Sequence, residues 1–312
     1  MLNFFRFFSA QLSFFFLNKK ISEKNENKIL KEINLKFKKK IFLHKSELKT
    51  HAQFNIYLKK LIIEKRFKNF LRESVIQKIF FVHNRIYIFF MLIKIIFNKN
   101  KLYRKLLVED NIGNPVRYFL YPKSSGNRIR EVYHLLTFSD FIKIPLSKIT
   151  NIYEFGGGYG NMARLFYKIN KNINYNIFDT YFVSFLQYYY LRMLKIPVNF
   201  DTQKNKNITL NYNASKYINK KINKKSLFIA NWSLSESPIK LREIILKKIN
   251  NFDFILISYQ SNFENINNHK YFSDLTKELK IKNFYVHRQK IPYINFLRFS
   301  NKHYYLFIKR NY

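Results

Sequence analysis

The sequence contains no cysteine and little glycine or proline. Its 312 residues include six glycines, six prolines and one tryptophan. The absence of cysteine excludes disulfides, zinc sites built from thiolates and cysteine nucleophiles, but it leaves the cellular compartment undetermined. Residues 19–105 contain neither glycine nor proline, the two strongest breakers of regular structure, and we interpret them as a helical, lysine-rich region.

Acidic residues are also scarce. The chain has 57 lysines and arginines against 19 aspartates and glutamates, which gives a formal net charge of +38. A surplus of this size can indicate a nucleic-acid partner. However, lysine outnumbers arginine 43 to 14, and Lys, Asn, Ile, Phe and Tyr are all abundant residues with A/T-rich codons. We therefore favour an AT-rich genome over a functional role as the origin of the surplus, and nucleic acid is not the partner that we expect.

No hydrophobic run is suited to crossing a membrane. Residues 1–17 are apolar but too short to span a bilayer, and no clear small-residue cleavage site of a signal peptide follows. The second apolar stretch, Ile79–Phe97, contains His83, Arg85 and Lys94, which favours a buried or amphipathic helix. We expect a cytoplasmic protein, and peripheral contact with the inner face of the membrane stays open.

Short apolar runs alternate with helical stretches from Lys148 onward. The runs are ITNIYEF, INYNIFD, IPVNF, SLFIAN, FDFILIS, KNFYVH and HYYLFIK. Helical stretches, including Asn161–Asn170, Tyr181–Lys195 and Ile239–Asn250, separate the first five runs, which predicts a parallel α/β sheet. The last two runs lack a clear helix between them and predict an antiparallel hairpin.

This alternation predicts the fold class and the domains. We expect a Rossmann-like α/β domain at residues 149–312, with the seven-stranded sheet of class I methyltransferases and a C-terminal antiparallel hairpin. A mainly helical region at 1–105 precedes it. Residues 106–148 contain two glycines and three prolines, and are expected to connect the two regions as loops and short helices.

A glycine-rich segment follows the first predicted strand. Four of the six glycines lie in Glu154-Phe-Gly-Gly-Gly-Tyr-Gly160, at Gly156, Gly157, Gly158 and Gly160. A strand, a glycine turn and a helix N-terminus in this order are typical of a nucleotide-binding loop, because glycine lets the backbone approach a ligand closely. The alternative is a turn that only packs the strand against the helix.

The acid at the start of this segment distinguishes between cofactors. The carboxylate of Glu154 would repel the pyrophosphate of a dinucleotide, whereas S-adenosylmethionine carries an ammonium and a sulfonium and has no phosphate. The spacing E-x-G-x-G-x-G also resembles motif I of class I methyltransferases. We therefore predict S-adenosylmethionine as the cofactor, bound by Glu154 and the four glycines of the loop.

Three further residues are predicted to contact this cofactor. Asp179 ends the second strand, nineteen residues after Gly160, where an acid can accept hydrogen bonds from both ribose hydroxyls. A helix N-cap is the alternative role of Asp179. Asp201, after the third strand, is a candidate for the adenine side, with a purely structural role weighed equally. Asn231, at the end of the fourth strand, completes the set.

The acceptor side is predicted from the segment that follows the fourth strand. It contains the only tryptophan, Trp232, and the acid Glu236. The carboxyl end of such a strand faces the ligand crevice of an open α/β sheet. The competing interpretation is a polar loop that caps the next helix.

Five segments carry a family resemblance: Gly113-Asn-Pro115, Arg128-x-Arg130-x-x-Tyr-His134, EFGGGYGNMARL, FDTYFVSFLQYYYL and ANWSLSES. Together they resemble the sugar O-methyltransferase family of bacterial surface-polysaccharide loci, and the resemblance covers about residues 108–260. The family often has D-L-P where this chain has Asp179-Thr-Tyr, and Glu-Met near Glu236-Ser. The resemblance implies methylation of a sugar hydroxyl in polysaccharide or lipopolysaccharide synthesis, with a sugar or glycan as acceptor.

The resemblance also suggests roles for individual residues on the acceptor side. His134 is the preferred general base, because its ordinary pKa lies near neutrality, and Glu236 is the alternative. Arg128 and Arg130 are candidates for binding a phosphate or carboxylate of the glycan, with a solvated basic turn as the alternative. Tyr133 is assigned to the same substrate group as Trp232. No His/Asp/Glu spacing indicates a metal.

Two other functions compete with sugar methylation. An RNA methyltransferase would use the positive charge and the aromatic residues, but no separate RNA-binding motif is recognisable and core packing explains the aromatics better. A basic protein that binds membranes or nucleic acid, with a relic Rossmann domain, would transfer no methyl group.

The assignment of Asp179 leads to a measurable expectation. Asp179→Ala should weaken binding of S-adenosylhomocysteine by about 1–3 kcal/mol, because charge-assisted hydrogen bonds to the ribose are lost. Isothermal titration calorimetry measures the change. An unchanged dissociation constant in a folded variant would leave Asp179 with the role of a helix cap only.

Overall fold

The computed structural model describes residues 23–37, 49–80, 85–200, 207–213, 225–296 and 301–311. Its helices are α1 (Glu23–Lys36), α2 (Lys49–Ile63), α3 (Ser74–Ile79), α4 (Tyr87–Ile96), α5 (Lys101–Leu106), α6 (Gly126–Ile142), α7 (Asn161–Ile169), α8 (Tyr181–Met193), α9 (Ile239–Leu246), α10 (Asn268–Ile281) and α11 (Pro292–Phe296). Its strands are β1 (Arg117–Tyr118), β2 (Tyr121–Ser125), β3 (Asn151–Phe155), β4 (Asn174–Phe178), β5 (Val198–Phe200), β6 (Ile208–Asn211), β7 (Ser226–Asn231), β8 (Phe254–Gln260), β9 (Asn262–Phe263), β10 (Ile266–Asn267), β11 (Phe284–Lys290) and β12 (His303–Arg310).

The chain folds into two compact units that alternate along the sequence. The first comprises residues 1–136, 158–165 and 181–198, and the second comprises residues 137–157, 166–180 and 199–312. Long helical segments dominate the described part of the first unit, and the large sheet lies in the second. The three consecutive domains expected from the sequence stay a prediction.

The sheet confirms the predicted fold class. Its strands lie in the order β11-β12-β8-β7-β3-β4-β6-β5. Strands β8, β7, β3, β4 and β6 pair in parallel, whereas β12 is antiparallel to both β8 and β11. The predicted C-terminal hairpin is therefore present, and the short helix α11 lies between its two strands in sequence. The chain runs outward from β3 to β4 and β6, then returns to place β7 on the other side of β3.

The sheet has eight strands, one more than predicted. The run IPVNF forms the edge strand β5, and β6 lies between β5 and β4. The sequence of β6, ITLN, is only four residues long and lies among asparagines and lysines. It is too short to show clear periodicity, which is why the sequence did not reveal it.

Burial on both faces explains the apolar character of the central strands. All seven residues of β8 are buried, as expected of a strand covered on both sides. On one face, Tyr259 packs against Phe272 of α10 with ring centroids 4.3 Å apart. On the other face, Phe307 packs against Phe138 of α6 at 5.5 Å. The strands are therefore fixed by side chains from helices of the same unit.

The first unit is organised around α8, which is almost completely buried. The hydroxyls of Tyr188 and Tyr189 donate hydrogen bonds to Glu32 and Glu26 of α1, both at 2.7 Å. Phe67 stacks on Tyr189 with ring centroids 4.7 Å apart. Acidic side chains of the lysine-rich N-terminal region thus bind the tyrosines of the FLQYYYL block.

The connecting segment differs from the expected loops and short helices. It contains α6, a helix of 17 residues that begins at Gly126. No glycine or proline follows until Pro145, so nothing in the sequence interrupts the helix. The prediction gave too much weight to Gly126, which is tolerated because it occupies the first position of the helix.

The Gly-Asn-Pro element has a packing role in the first unit. Gly113 has a φ of +76°, and its carbonyl accepts a hydrogen bond from the Leu71 amide at 2.9 Å. A Cβ atom at Gly113 would lie 2.2 Å from the ring of Phe70. That ring in turn packs edge-on against Tyr159 at 5.9 Å and Tyr190 at 6.5 Å. Glycine is required here by both the backbone and the neighbouring ring.

Gly113→Ala should therefore destabilise the protein by about 2–4 kcal/mol, through overpacking against Phe70 and strain at positive φ. Urea denaturation followed by circular dichroism measures the change. Adding Phe70→Leu removes the ring atoms that the new methyl meets, so the double variant should lose less stability than the sum of the single losses. Full additivity, or an unchanged midpoint for Gly113→Ala, would contradict this packing.

Candidate cofactor and acceptor site

The glycine-rich loop connects β3 to α7. Gly156, Gly158 and Gly160 have φ angles of +73°, +55° and +96°, in the region that residues with side chains rarely adopt. The φ of Gly157 lies outside this region. The amide of Gly156 donates to the carbonyl of Phe178 at 2.8 Å, which ties the start of the loop to the end of β4.

Glu154 lies near the end of β3 and is buried. Its Oε2 accepts a hydrogen bond from the hydroxyl of Tyr175 at 2.8 Å. Tyr175 comes from β4 and is itself fully buried, so the tyrosine fixes the carboxylate from the neighbouring strand. The sequence did not single out Tyr175.

Asp179 directly follows β4 and is half-buried. Its Oδ1 accepts from the Thr180 amide at 2.8 Å, and its own amide donates to the carbonyl of Asn211 at 3.0 Å. Asp201 lies outside the described residues. Strand β4 lies between β3 and β6, and β6 ends in Asn211. Asn211 therefore occupies the sheet position for which the sequence offered Asp201.

Asn211 is buried, and its side chain is only half satisfied within the described residues. Its Nδ2 donates to the carbonyl of Ile177 at 3.3 Å, whereas its Oδ1 has no hydrogen-bond partner there. A buried carbonyl without a donor is uncommon and calls for a ligand or a water molecule. The side chain thus marks a polar position at the carboxyl edge of the sheet.

The segment after β7 is held in an unusual backbone conformation. Asn231 Oδ1 accepts from the Ser258 hydroxyl at 3.0 Å. Trp232, the next residue, has a φ of +63°, which is rare for a bulky side chain. Its indole is buried and donates to Nδ1 of His303 at 2.7 Å. The predicted substrate contact by Trp232 remains untested, and its indole N–H already has a protein acceptor.

This segment also contacts the glycine-rich loop. A Cβ atom at Gly156 would lie 2.2 Å from Cβ of Ser233. The Ser233 hydroxyl donates to the carbonyl of Phe155, at the end of β3. The loops at the carboxyl ends of β3 and β7 are therefore in direct contact, and glycine at position 156 is what permits it.

Glu236 lies in the same segment and is half-buried. Its Oε1 accepts from Nε2 of Gln260 at 3.1 Å, and Gln260 also accepts from the Ser235 hydroxyl at 3.2 Å. Gln260 ends β8. The carboxylate is thus positioned by the neighbouring strand.

Arg242 of α9 stabilises the segment that carries Glu236, and the sequence analysis missed it. The guanidinium donates to the carbonyls of Ser237 at 2.8 Å and Ser235 at 2.7 Å, and to Oδ1 of Asn268 at 2.7 Å. Arg242 is fully buried, and burial lowers the pKa of its guanidinium to about 10. Its position three residues before the buried Ile245 places it on the inner face of the helix, which is the signal that could have revealed it.

In the first unit, Arg128 forms a buried ion-pair cluster. Its Nη2 lies 2.7 Å from Glu109 Oε1 and 3.2 Å from Asp110 Oδ2, and it donates to the hydroxyl of Tyr190 at 2.9 Å. Although burial alone would lower the pKa of Arg128, the Glu109 carboxylate and the other negative groups beside it raise that pKa above its usual value. Arg164 of α7 joins the cluster through Asp110, at 2.6 Å.

Arg130 is buried as well, so the alternative of a solvated basic turn is wrong for both arginines. Its Nη2 donates to Oδ1 of Asn127 at 2.6 Å and to the carbonyl of Phe80 at 3.2 Å. The turn interpretation failed because the acidic partner of Arg128, Glu109, lies nineteen residues away in the sequence. The predicted contacts of these arginines with the acceptor stay predictions.

Tyr133 and His134 lie in the buried interior of α6. The ammonium of Lys94 lies 5.8 Å from the centroid of the Tyr133 ring. Burial, together with the nearby charge of Arg130, lowers the pKa of His134 well below its usual value. A neutral, fully buried imidazole is a weak base, so this environment favours the packing role of His134 over the catalytic one.

Asn161, the first residue of α7, also carries unsatisfied polar atoms. It is buried, and neither Oδ1 nor Nδ2 of its side chain has a hydrogen-bond partner among the described residues.

In the described ranges, no group of three His, Asp or Glu side chains could hold a metal ion. The same ranges include no helix that is both long and apolar enough to cross a bilayer.

Comparisons with known proteins give similarity to solved structures only. No family model and no curated protein matches the chain. The mitomycin 7-O-methyltransferase MmcR is 12% identical over 59% of this chain and 58% of its own length, with a TM-score of 0.35. The methyltransferase domain of a bacterial Hen1 is 14% identical over 58% of this chain and 99% of its own, with a TM-score of 0.41. Human N-acetylserotonin methyltransferase is 10% identical over 59% of this chain and 56% of its own, with a TM-score of 0.32.

This chain therefore matches less than two thirds of the length of two of these three proteins. Likeness at these levels of identity and TM-score assigns neither a cofactor nor a substrate. The fold assignment depends on the strand order and strand directions given above.

The contacts of Arg242 predict a specific loss. Arg242→Met should destabilise the protein by about 2–4 kcal/mol, because the carbonyls of Ser235 and Ser237 lose their buried donor. Thermal and urea unfolding measure this loss. Lys240→Met, an exposed change on the same helix, is the matched control and should stay within about 0.5 kcal/mol of the wild type. Equal stability of the two variants would contradict the role given to Arg242.

Proposed function

We propose that this protein is an S-adenosylmethionine-dependent methyltransferase. The observation that carries the proposal is the end of β3, where the buried Glu154 precedes a loop with three glycines at positive φ. The loop lies where the strand order reverses, between β4 on one side and β7 on the other. Ligands of open α/β sheets bind at the carboxyl ends of strands at such a position.

The charge near this loop favours a cationic ligand over a dinucleotide. A pyrophosphate placed at the loop would meet the carboxylate of Glu154, whereas the ammonium and sulfonium of S-adenosylmethionine would be attracted to it. In our proposal the half-buried Asp179 accepts hydrogen bonds from the ribose hydroxyls. Asn231 remains a candidate cofactor contact at the end of β7.

One buried amide would gain a partner from such a ligand. Oδ1 of Asn211 lacks a donor within the described residues, and the exocyclic amino group of adenine is a donor of suitable kind. A ligand that supplied this hydrogen bond would lower the cost of burying the Asn211 side chain.

We further propose a sugar hydroxyl as the acceptor and Glu236 as the general base. The hydroxyl oxygen attacks the methyl carbon in line with the sulfur, and the carbon–sulfur bond breaks. Its electron pair stays on sulfur, which yields the neutral thioether of S-adenosylhomocysteine. The hydroxyl proton goes to the carboxylate of Glu236.

The choice of Glu236 over His134 follows from their surroundings. Glu236 is half-buried and lies in the segment that contacts the glycine-rich loop through Ser233. His134 is fully buried, and its lowered pKa makes it a poor proton acceptor near neutrality. The sugar specificity itself is supported by the family resemblance of the sequence motifs alone.

The experiment follows transfer of a tritiated methyl group from S-adenosylmethionine to two sets of acceptors. One set contains nucleotide-activated sugars and lipopolysaccharide preparations, and the other contains transfer RNA and total RNA. We expect label in the carbohydrate set only. Label in RNA alone would contradict a sugar acceptor and identify RNA as the acceptor instead. Cofactor binding without transfer to either set would favour a basic binding protein with a relic Rossmann domain that transfers no methyl group.

Variants on the same acceptor then test the base. Glu236→Gln keeps the shape of the side chain and should lower turnover by roughly 10²–10⁴ while cofactor affinity stays within about twofold. Glu243→Gln, an exposed glutamate on α9, is the matched control and should retain turnover. A large loss in folded His134→Gln with normal turnover in Glu236→Gln would return the base role to His134.

A further inference from the structure

Helix α4 of the first unit is apolar on two opposite faces. Its inner face buries Ile88, Met91, Leu92 and Ile95. The opposite face presents a second apolar stripe to solvent. We call this the outer stripe; it consists of Ile86, Phe90, Ile93 and Phe97.

The spacing of the outer stripe makes it one continuous surface. Ile86 and Phe97 flank the helix, and both have helical backbone angles. At about 100° per residue, positions 86, 90, 93 and 97 fall within about 60° of one another around the helix axis. Phe97 is 81% exposed and Ile86 is 61% exposed, so the stripe is exposed most strongly at its two ends. Clustered exposed apolar side chains of this kind mark interaction surfaces.

The charged residues that flank the outer stripe in the sequence are all basic. No acidic residue occurs between Glu73 and Glu109, a stretch of 35 residues. Exposed cations border the stripe in the chain: Arg85 lies before it, and Lys99, Lys101, Arg104 and Lys105 follow it. An apolar stripe with flanking lysines and arginines suits a surface that is itself both apolar and anionic.

We propose that the outer stripe of α4 docks on the surface of an anionic lipid bilayer. The aromatic and aliphatic side chains enter the boundary between headgroups and acyl chains, and the flanking cations pair with anionic headgroups. A helix of ten residues is about 15 Å long and lies in the plane of the interface, because it is too short to cross the bilayer. The docking surface does not depend on the proposed methyl transfer.

Two other occupants fit the observations less well. Nucleic acid would be attracted by the cations, but its charged backbone offers little surface on which the aliphatic side chains of Ile86 and Ile93 could be buried. A second copy of this chain would bring its own flanking lysines and arginines against those of the first, which disfavours self-association.

The experiment measures co-sedimentation of the full chain with extruded vesicles. One set is pure phosphatidylcholine and the other contains 30% phosphatidylglycerol. We expect binding to the anionic vesicles that is at least tenfold tighter than to the neutral ones and that weakens with added salt. No binding to either set would overturn the proposal.

Matched variants separate the outer stripe from general positive charge. Phe90→Ser combined with Phe97→Ser should lower affinity for anionic vesicles at least tenfold. Leu35→Ser combined with Ile281→Ser, which changes two strongly exposed apolar residues elsewhere, should have no effect. Equal losses in the two pairs, or full affinity of the Phe90/Phe97 pair, would overturn the proposal.

The cations are tested in the same way. Lys99→Gln, Lys101→Gln and Lys105→Gln together should weaken binding more than Lys240→Gln, Lys247→Gln and Lys270→Gln, three exposed lysines outside this surface. Equal effects of the two triple variants would show attraction by net charge alone and contradict a docking surface on α4. Analytical ultracentrifugation adds a further check, because a dimer that dissociates on changing Phe90 and Phe97 would assign the stripe to a second copy instead.

Discussion

The reversal of strand order beside β3 is the constraint on which the candidate site depends. The chain builds β4 and β6 on one side of β3 and then returns to build β7 and β8 on the other. The loops that leave β3 and β7 are thereby brought into contact, and the absence of a side chain at Gly156 leaves room for Ser233. The glycine-rich loop, Glu154 and the segment with Glu236 owe their proximity to this one topological feature.

Buried arginines fix two segments of the chain. Arg242 donates hydrogen bonds to the carbonyls of the segment that carries Glu236. Arg128 and Arg164 instead form ion pairs with Asp110 in the first unit. Buried ion pairs add little net stability, but removing one partner is costly. Several of the 19 acidic residues are thus used internally, while exposed lysines carry much of the net charge of +38.

The sequence allowed the sheet, the hairpin and the glycine-rich loop to be predicted, because each produces a local pattern. Alternation of apolar runs and helices predicts parallel strands, and four clustered glycines stand out in a chain with six. Contacts distant in sequence leave no such pattern. Arg128 is buried against Glu109, and the carboxylate of Glu154 is held by Tyr175. Both partners lie about twenty residues away in the sequence, so the residues next to Arg128 and Glu154 could not predict these contacts. Strand β6 was missed because four residues are too few to show periodicity.

Isothermal titration calorimetry with S-adenosylhomocysteine and NADH tests the central claim most directly. The two ligands share the adenosine group and differ in what they present to the loop after β3: a thioether with a zwitterionic amino-acid group in one, a pyrophosphate in the other. We expect binding of S-adenosylhomocysteine at one site per chain and no binding of NADH. Binding of NADH without S-adenosylhomocysteine would contradict the account, because it would place a phosphate beside Glu154.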